Sequence, residues 1–84
     1  MTRVDVLYFA WLRERIGIGR EVVETEAATL ADLVAELRAR APRYAAAFAD
    51  MAAVRAARDQ ELVPLDTPLA GAREVAFFPP MTGG

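Results

Sequence analysis

The sequence predicts an α+β domain in which a mixed β-sheet is covered on one face by one main helix, with short helices beside it. Three observations lead there. The segments richest in β-branched and aromatic residues, 4–9 and 74–78, lie near opposite ends of the chain. A single stretch, residues 30–41, carries a helical apolar stripe long enough to cover a sheet. The chain has 84 residues, which is one domain and no more.

Each element follows in order. Residues 4–9 (VDVLYF) form a strand, with Val4, Val6 and Tyr8 on one face and Asp5, Leu7 and Phe9 on the other. Residues 10–16 (AWLRERI) form a short helix stopped by Gly17, and residues 17–19 turn the chain. Residues 20–25 (REVVET) return as a second strand paired with the first. Thr29 is a good N-cap, with Asp32 three positions on as a variant of the capping box. Leu30, Leu33, Val34, Leu37 and Ala41 then recur as one buried stripe, while Glu36, Arg38 and Arg40 fall toward water. Pro42 ends that helix. Residues 43–49 are expected as a shorter helical turn with Tyr44 and Phe48 four apart. Residues 52–58 make a weak, alanine-rich strand, Asp59-Gln60 a turn, and residues 61–63 a short returning strand. A loop over 64–70 leads to the last strand, residues 74–78 (EVAFF). The two most apolar strands belong side by side at the sheet centre, and their long connection permits parallel pairing. That arrangement is a β-grasp, the ubiquitin-like architecture, over residues 1–78, followed by an extended C-terminal tail over 79–84.

Composition excludes whole classes of chemistry. There is no Cys and no His, and all ten basic residues are Arg. Thiol nucleophiles, zinc fingers, iron–sulfur ligation, imidazole bases and lysine Schiff bases therefore have no residue to carry them. No metal site and no bound cofactor is expected. Ten Arg interspersed with twelve Asp and Glu give a net charge of −2 and no basic stripe, so nucleic acid is not an expected partner. Nothing in the opening residues reads as a secretory signal, and no apolar run reaches the roughly 20 residues of a membrane span. A cytoplasmic protein, away from membranes, is the expectation.

The chemistry is expected in the tail. Pro79 and Pro80 cannot donate backbone hydrogen bonds, so the sheet stops there and the chain takes an extended path. Met81, Thr82, Gly83 and Gly84 follow. Six extended residues span roughly 20 Å. Two glycines, having no Cβ, can pass a channel barely wider than the backbone. This pattern suits activation of the Gly84 carboxylate. ATP, used by an activating enzyme, would convert it to an acyl-adenylate, and a sulfur nucleophile would displace AMP to leave a thiocarboxylate. The plainer explanation of two final glycines is an unstructured end.

Residues 74–84, EVAFFPPMTGG, resemble the small subunit of molybdopterin synthase (the MoaD family), which typically reads EVAFFPPVTGG there. Tyr8-Phe9-Ala10, Leu12-Arg13-Glu14, Thr29-Leu30, Leu33 and residues 66–69 (DTPL) extend the resemblance over essentially the whole chain. The resemblance implies a sulfur carrier for molybdenum cofactor biosynthesis. Its terminal glycine would be adenylated by an E1-like adenylyltransferase and thiocarboxylated with sulfur from a sulfur-donating enzyme. The tail would then enter the large synthase subunit, within a heterotetramer, and pass sulfur to cyclic pyranopterin monophosphate. Catalytic groups would lie on that large subunit, leaving this chain a non-catalytic donor. By position, Gly84 carries the sulfur, residues 79–83 thread, and Phe9, Arg13, Leu62 and Phe78 bind the partners. Alternation adds support: with Val75 and Phe77 in the core, Ala76 and Phe78 face outward beside Phe9. Ordinary burial competes as an explanation for the apolar three, and a solvated helix position for Arg13. Met81 departs from the valine, and Asp59 from the asparagine, common in the family. Alternatives are a carrier for thiazole or cysteine synthesis, or a ubiquitin-like protein modifier.

Overall fold

A computed structural model describes residues 1–80. Five strands form one sheet in the order β2-β1-β5-β3-β4, with β1 spanning Thr2–Tyr8, β2 Arg20–Thr25, β3 Arg55–Arg58, β4 Glu61–Val63 and β5 Glu74–Phe78. Three helices, α1 (Ala10–Ile16), α2 (Leu30–Arg40) and α3 (Pro42–Ala47), lie between them in sequence. The first and last strands pair in parallel at the centre, Val6 beside Val75 and Tyr8 beside Phe77. All other strand pairs are antiparallel. This is the β-grasp expected from the sequence.

The core fills one face of this sheet. Val4, Val6, Tyr8, Val23, Val75, Phe77 and Ala56 point inward and are buried. Leu30, Leu33, Val34 and Leu37 of α2 close over them. The short helices add more than their length suggests. Leu12 and Ile16 come from α1, and Tyr44, Ala47 and Phe48 from α3 and its end. Phe48 meets Phe77 edge-on at 5.3 Å, and Tyr8 stacks on Phe77 at 6.4 Å, so three elements share one aromatic cluster.

Local chemistry sets the boundaries. Gly17 closes α1 in the left-handed region, at φ 95°, and donates its N–H to the Arg13 carbonyl. The Thr29 hydroxyl accepts from the Asp32 N–H at 3.1 Å, capping α2. Several boundaries differ from expectation, and β1 also begins two residues early, at Thr2. β1 ends at Tyr8, because Phe9 becomes the N-cap of α1 and Ala10 turns the chain at φ 54°. Ala41 leaves α2 in an extended conformation, half-buried, because the residue before a proline avoids the helical region. Pro42 then opens α3 at its first turn, where a missing N–H costs nothing, and α3 stops at Ala47. β3 begins at Arg55, because Met51–Ala53 wind into a short 3₁₀ turn before it.

The β3–β4 turn places Asp59 and Gln60 at φ 51° and 71°, the two left-handed positions of a tight hairpin. The Asp59 carboxylate accepts the N–H groups of Arg73 and Glu74 at 2.9 and 3.0 Å, clamping the hairpin to the start of β5. Those two bonds hold its pKa below the usual 3.8. The contribution is therefore present above the ordinary carboxylate range and is lost as pH falls through the lowered native value. Asp59→Asn keeps an acceptor oxygen for both amides, so at pH 7 it should melt close to the parent and show a shallower loss of stability below pH 4. Asp59→Ala should melt lower at neutral pH. Thermal unfolding by circular dichroism across pH 2–7 distinguishes them, and equal melting of all three at pH 7 would show that the clamp contributes nothing.

Candidate functional site

The face of the sheet opposite the helices is open, and its rows can be read from the strand register. One row runs Leu62, Ala57, Ala76, Leu7 across β4, β3, β5 and β1. The next runs Arg55, Phe78 and then Phe9, whose N–H continues the ladder by donating to the Phe77 carbonyl at 3.1 Å. Opposed residues point to the same face, so these side chains form one surface. Leu62 is 68% exposed and Phe9 46% exposed, large values for apolar side chains. The two alanines keep the middle flat. Leu62, Phe78 and Phe9 stand around a shallow apolar floor, and the Arg55 guanidinium, held by the Ala52 and Val54 carbonyls, edges it. A flat apolar surface with a charged rim is the kind that a protein partner covers.

Phe9 and Phe78 thus lie side by side, as alternation predicts, with Leu62 on the same face. Two details differ. Ala76 faces outward but is buried, because a methyl group is sheltered between its row neighbours Leu7 and Ala57. Phe78 is half-buried rather than open, flanked by Phe9 and Arg55. Arg13 is exposed on α1, and its side chain lies against Gly19 before β2, where an added Cβ would come within 3.0 Å of Nε. Gly19 leads into β2 and Leu62 lies on β4, the two edge strands, so Arg13 stands across the sheet from Leu62 and one turn beyond Phe9. Trp11 is half-buried on α1, its ring covered by the Arg15 guanidinium at 4.7 Å. Ala57 was not legible as part of the face from sequence, since only its pairing with Leu62 and Ala76 puts it there.

The tail leaves from the same end of the sheet. β5 stops at Phe78, and Pro79 and Pro80 follow outside any strand, half-buried. Gly84, Gly83, Thr82 and Met81, the expected carrier and threading residues, lie outside the described residues.

Other titratable side chains are structural. The Glu21 carboxylate accepts the hydroxyls of Tyr8 and Tyr44 at 2.7 and 2.6 Å, with the Arg40 guanidinium 3.9 Å away. Burial first, and the Glu21 carboxylate second, push both phenols above their usual pKa, so both remain protonated donors. The Thr25 hydroxyl bonds Glu36 of α2. Among the described residues no group of three or more potential ligands could hold a metal ion, and no helix is long and apolar enough to cross a membrane.

A β-grasp body with an open apolar face, running from its central strand into a proline pair, defines a class of ubiquitin-like carrier. The comparisons agree. The model of the ThiS family matches residues 6–84. The molybdopterin synthase sulfur carrier subunit of Escherichia coli is 41% identical over 81 residues, covering 96% of this chain and 99% of that one. The protein of the same name from Haemophilus influenzae is 35% identical with the same coverage. The crystal structure of small archaeal modifier protein 1 from Haloferax volcanii shares the fold, with a TM-score of 0.78 at 24% identity over 96% of this chain and 100% of that one. The chain belongs to the ThiS family, together with the molybdopterin synthase sulfur carrier subunits.

Because Leu62 and Phe9 contribute little to the core, Leu62→Asp and Phe9→Ser should each change unfolding free energy by less than about 0.5–1 kcal/mol in urea titrations. Phe77→Ala, by contrast, should cost about 3–5 kcal/mol. Destabilisation by Leu62→Asp comparable to that of Phe77→Ala would show that this face is part of the folded body rather than a surface awaiting a partner.

Proposed function

We propose that this chain carries sulfur for molybdopterin synthesis as the small subunit of molybdopterin synthase, working through the carboxylate of Gly84. The observation that carries the reading is the alignment with sulfur carrier subunits along nearly their whole length. The tail composition and the open apolar face support it.

In this scheme the apolar face docks first on an E1-like adenylyltransferase. A Gly84 carboxylate oxygen attacks the α-phosphorus of ATP and pyrophosphate leaves, giving the acyl-adenylate. Sulfide released by a sulfur-donating enzyme adds to the acyl carbon, the C–O bond to AMP breaks and AMP leaves, and the chain keeps a thiocarboxylate. The same face then docks on the large synthase subunit, within a heterotetramer. Pro79 and Pro80 hold the exit straight while Met81, Thr82 and Gly83 thread the thiocarboxylate to cyclic pyranopterin monophosphate. Phe9, Leu62 and Phe78 make the docking contact, and Arg13 adds a polar contact from α1. The chain binds no cofactor of its own, and ATP belongs to the activating enzyme. Its work is cytoplasmic. The division suits a sequence without Cys, His or Lys, since every acid, base and sulfur relay is left to partners.

The test is reconstitution with a large subunit, an activating enzyme, ATP and a sulfide source. Intact mass spectrometry should show one oxygen replaced by sulfur, and molybdopterin should form. Removal of Gly84 should abolish both and leave the circular dichroism spectrum unchanged. Leu62→Asp should weaken partner binding by roughly tenfold or more, the scale of one interface anchor. Persistence of product formation without Gly84 would sink the mechanism. Accumulation of amide-linked conjugates in place of product would favour a protein modifier.

A further inference from the structure

The sheet has two edges, β2 and β4. β4 is three residues long, but β2 is a regular six-residue strand without proline. A very short strand, a bulge and a proline, three devices that blunt a free edge, are absent from β2, and its charges, Arg20, Glu21 and Glu24, are of both signs. Its backbone phase is fixed by the Tyr8 N–H, which donates to the Gly19 carbonyl at 2.9 Å. Gly19, Glu21, Val23 and Thr25 thus turn their backbone groups toward β1, in line with the pairing of Val6 with Glu21 and Val4 with Val23. Arg20, Val22 and Glu24 turn theirs to the open edge. No turn, loop or cap hydrogen bond among the described residues takes up those groups.

The same three residues place their side chains on the outer face, opposite Leu7, Asp5 and Arg3. Val22 is 51% exposed there, between a cation and an anion at equal spacing. This pattern is symmetric in position and antisymmetric in charge about Val22. We propose that β2 pairs antiparallel with β2 of a second copy of this chain, about a two-fold axis through Val22. Val22 then faces Val22 of the second copy, and Arg20 faces Glu24 of the second copy at both ends. Each opposed pair exchanges two backbone hydrogen bonds, so every outward N–H and C=O of the three residues is used.

The register is selective. A two-fold axis through Arg20 would oppose Arg20 with itself, and one through Glu24 would oppose Glu24 with itself, each a like-charge pair. An axis between residues would turn the two outer faces to opposite sides. An axis through Glu21 or Val23 would oppose Val22 with Arg20 or Glu24 rather than with a second Val22, so only the Val22 axis satisfies backbone, apolar contact and charge together. The Arg20 guanidinium bonds Asp5 of β1 at 2.7 Å yet is 66% exposed, so it has donors left for a second carboxylate. The apolar surface of β4, β3 and β5 remains uncovered, so the pairing is independent of the carrier role. One strand pair buries less than the ~1,200 Å² of a standard stable interface, so the dimer exchanges with monomer and fills with concentration.

Sedimentation equilibrium of the full chain from about 10 μM to about 1 mM should show the weight-average mass rising toward twice the chain mass. Arg20→Glu and Glu24→Arg should each weaken association by roughly tenfold, since each mispairs two sites. The double swap R20E/E24R should restore it. Because the chain has no native cysteine, Val22→Cys supplies a single reporter. Opposed Cα atoms in such a pair lie about 5.5 Å apart, within disulfide range. Under mild oxidation it should cross-link at least about tenfold faster than Ala39→Cys, on the exposed side of α2. A parent chain that stays monomeric at the highest concentration overturns the proposal. So does association that ignores the single swaps, or Val22→Cys cross-linking no faster than the control. If Arg20→Glu fails to fold, Glu24→Arg and the cysteine pair decide alone.

Discussion

The parallel pairing of the first strand with the last is the constraint on which the rest of the molecule depends. Val6 and Tyr8 lie beside Val75 and Phe77, and all four are fully buried. Burial of each such side chain is worth about 1.5–3 kcal/mol, so this single seam holds a large share of the apolar stabilisation available to a small domain. The seam also joins residues some seventy positions apart, and everything between must fold so that the chain end can return to the centre. α2 and α3 cover the seam, β2 flanks it on one side, and the β3–β4 hairpin flanks it on the other.

That placement has a mechanical consequence. β5 is hydrogen-bonded on both sides, by β1 and β3, so the end of the last strand is anchored at the centre of the sheet. Whatever force or strain reaches the tail is borne by the centre of the body, where local opening is least frequent. On the open face, Phe78 and Phe9 mark the place where the chain leaves, and Leu62 lies two strands away from β5. A partner covering that surface would lie against the point where Pro79 and Pro80 leave the sheet. A carrier with its docking surface on an outer strand and its tail on a loop would need a longer and less directed reach.

Much of this was legible in the sequence because each element has a strong local signal. The strands at 20–25, 61–63 and 74–78 and the first helix agree residue for residue, each bounded by a glycine, a proline or a turn pair. The 3.6-residue stripe of α2 named four buried residues correctly, and failed at Ala41 because Pro42 fixes the backbone of its predecessor. What sequence did not convey was non-local. Alanine has weak strand preference, so β3 owes its existence to its neighbours β4 and β5 rather than to its own residues. The burial of Ala76 and the half-burial of Phe78 likewise depend on what stands next to them across the sheet, which alternation alone cannot supply. Arg13 was grouped with the apolar three through family resemblance, and its place against Gly19, beside β2, follows from the fold rather than from any local signal.

Polar links between elements explain why so alanine-rich a chain settles on one arrangement. Apolar packing by itself tolerates sliding of helices over a sheet. Glu21 removes that freedom, because its carboxylate needs partners, and the hydroxyls of Tyr8 and Tyr44 supply them from β1 and α3. Any shift of α3 along the sheet would leave a carboxylate and two phenols unpaired in a poorly solvated position, at a cost of about 1–3 kcal/mol for each group. Thr25 and Glu36 tie α2 to β2 in the same way, and Asp59 ties the distant hairpin to β5. Three polar links, each joining different elements, thus fix the registers that the apolar seam alone would leave loosely determined. They hold the strands in register, and with them the rows of the outer face.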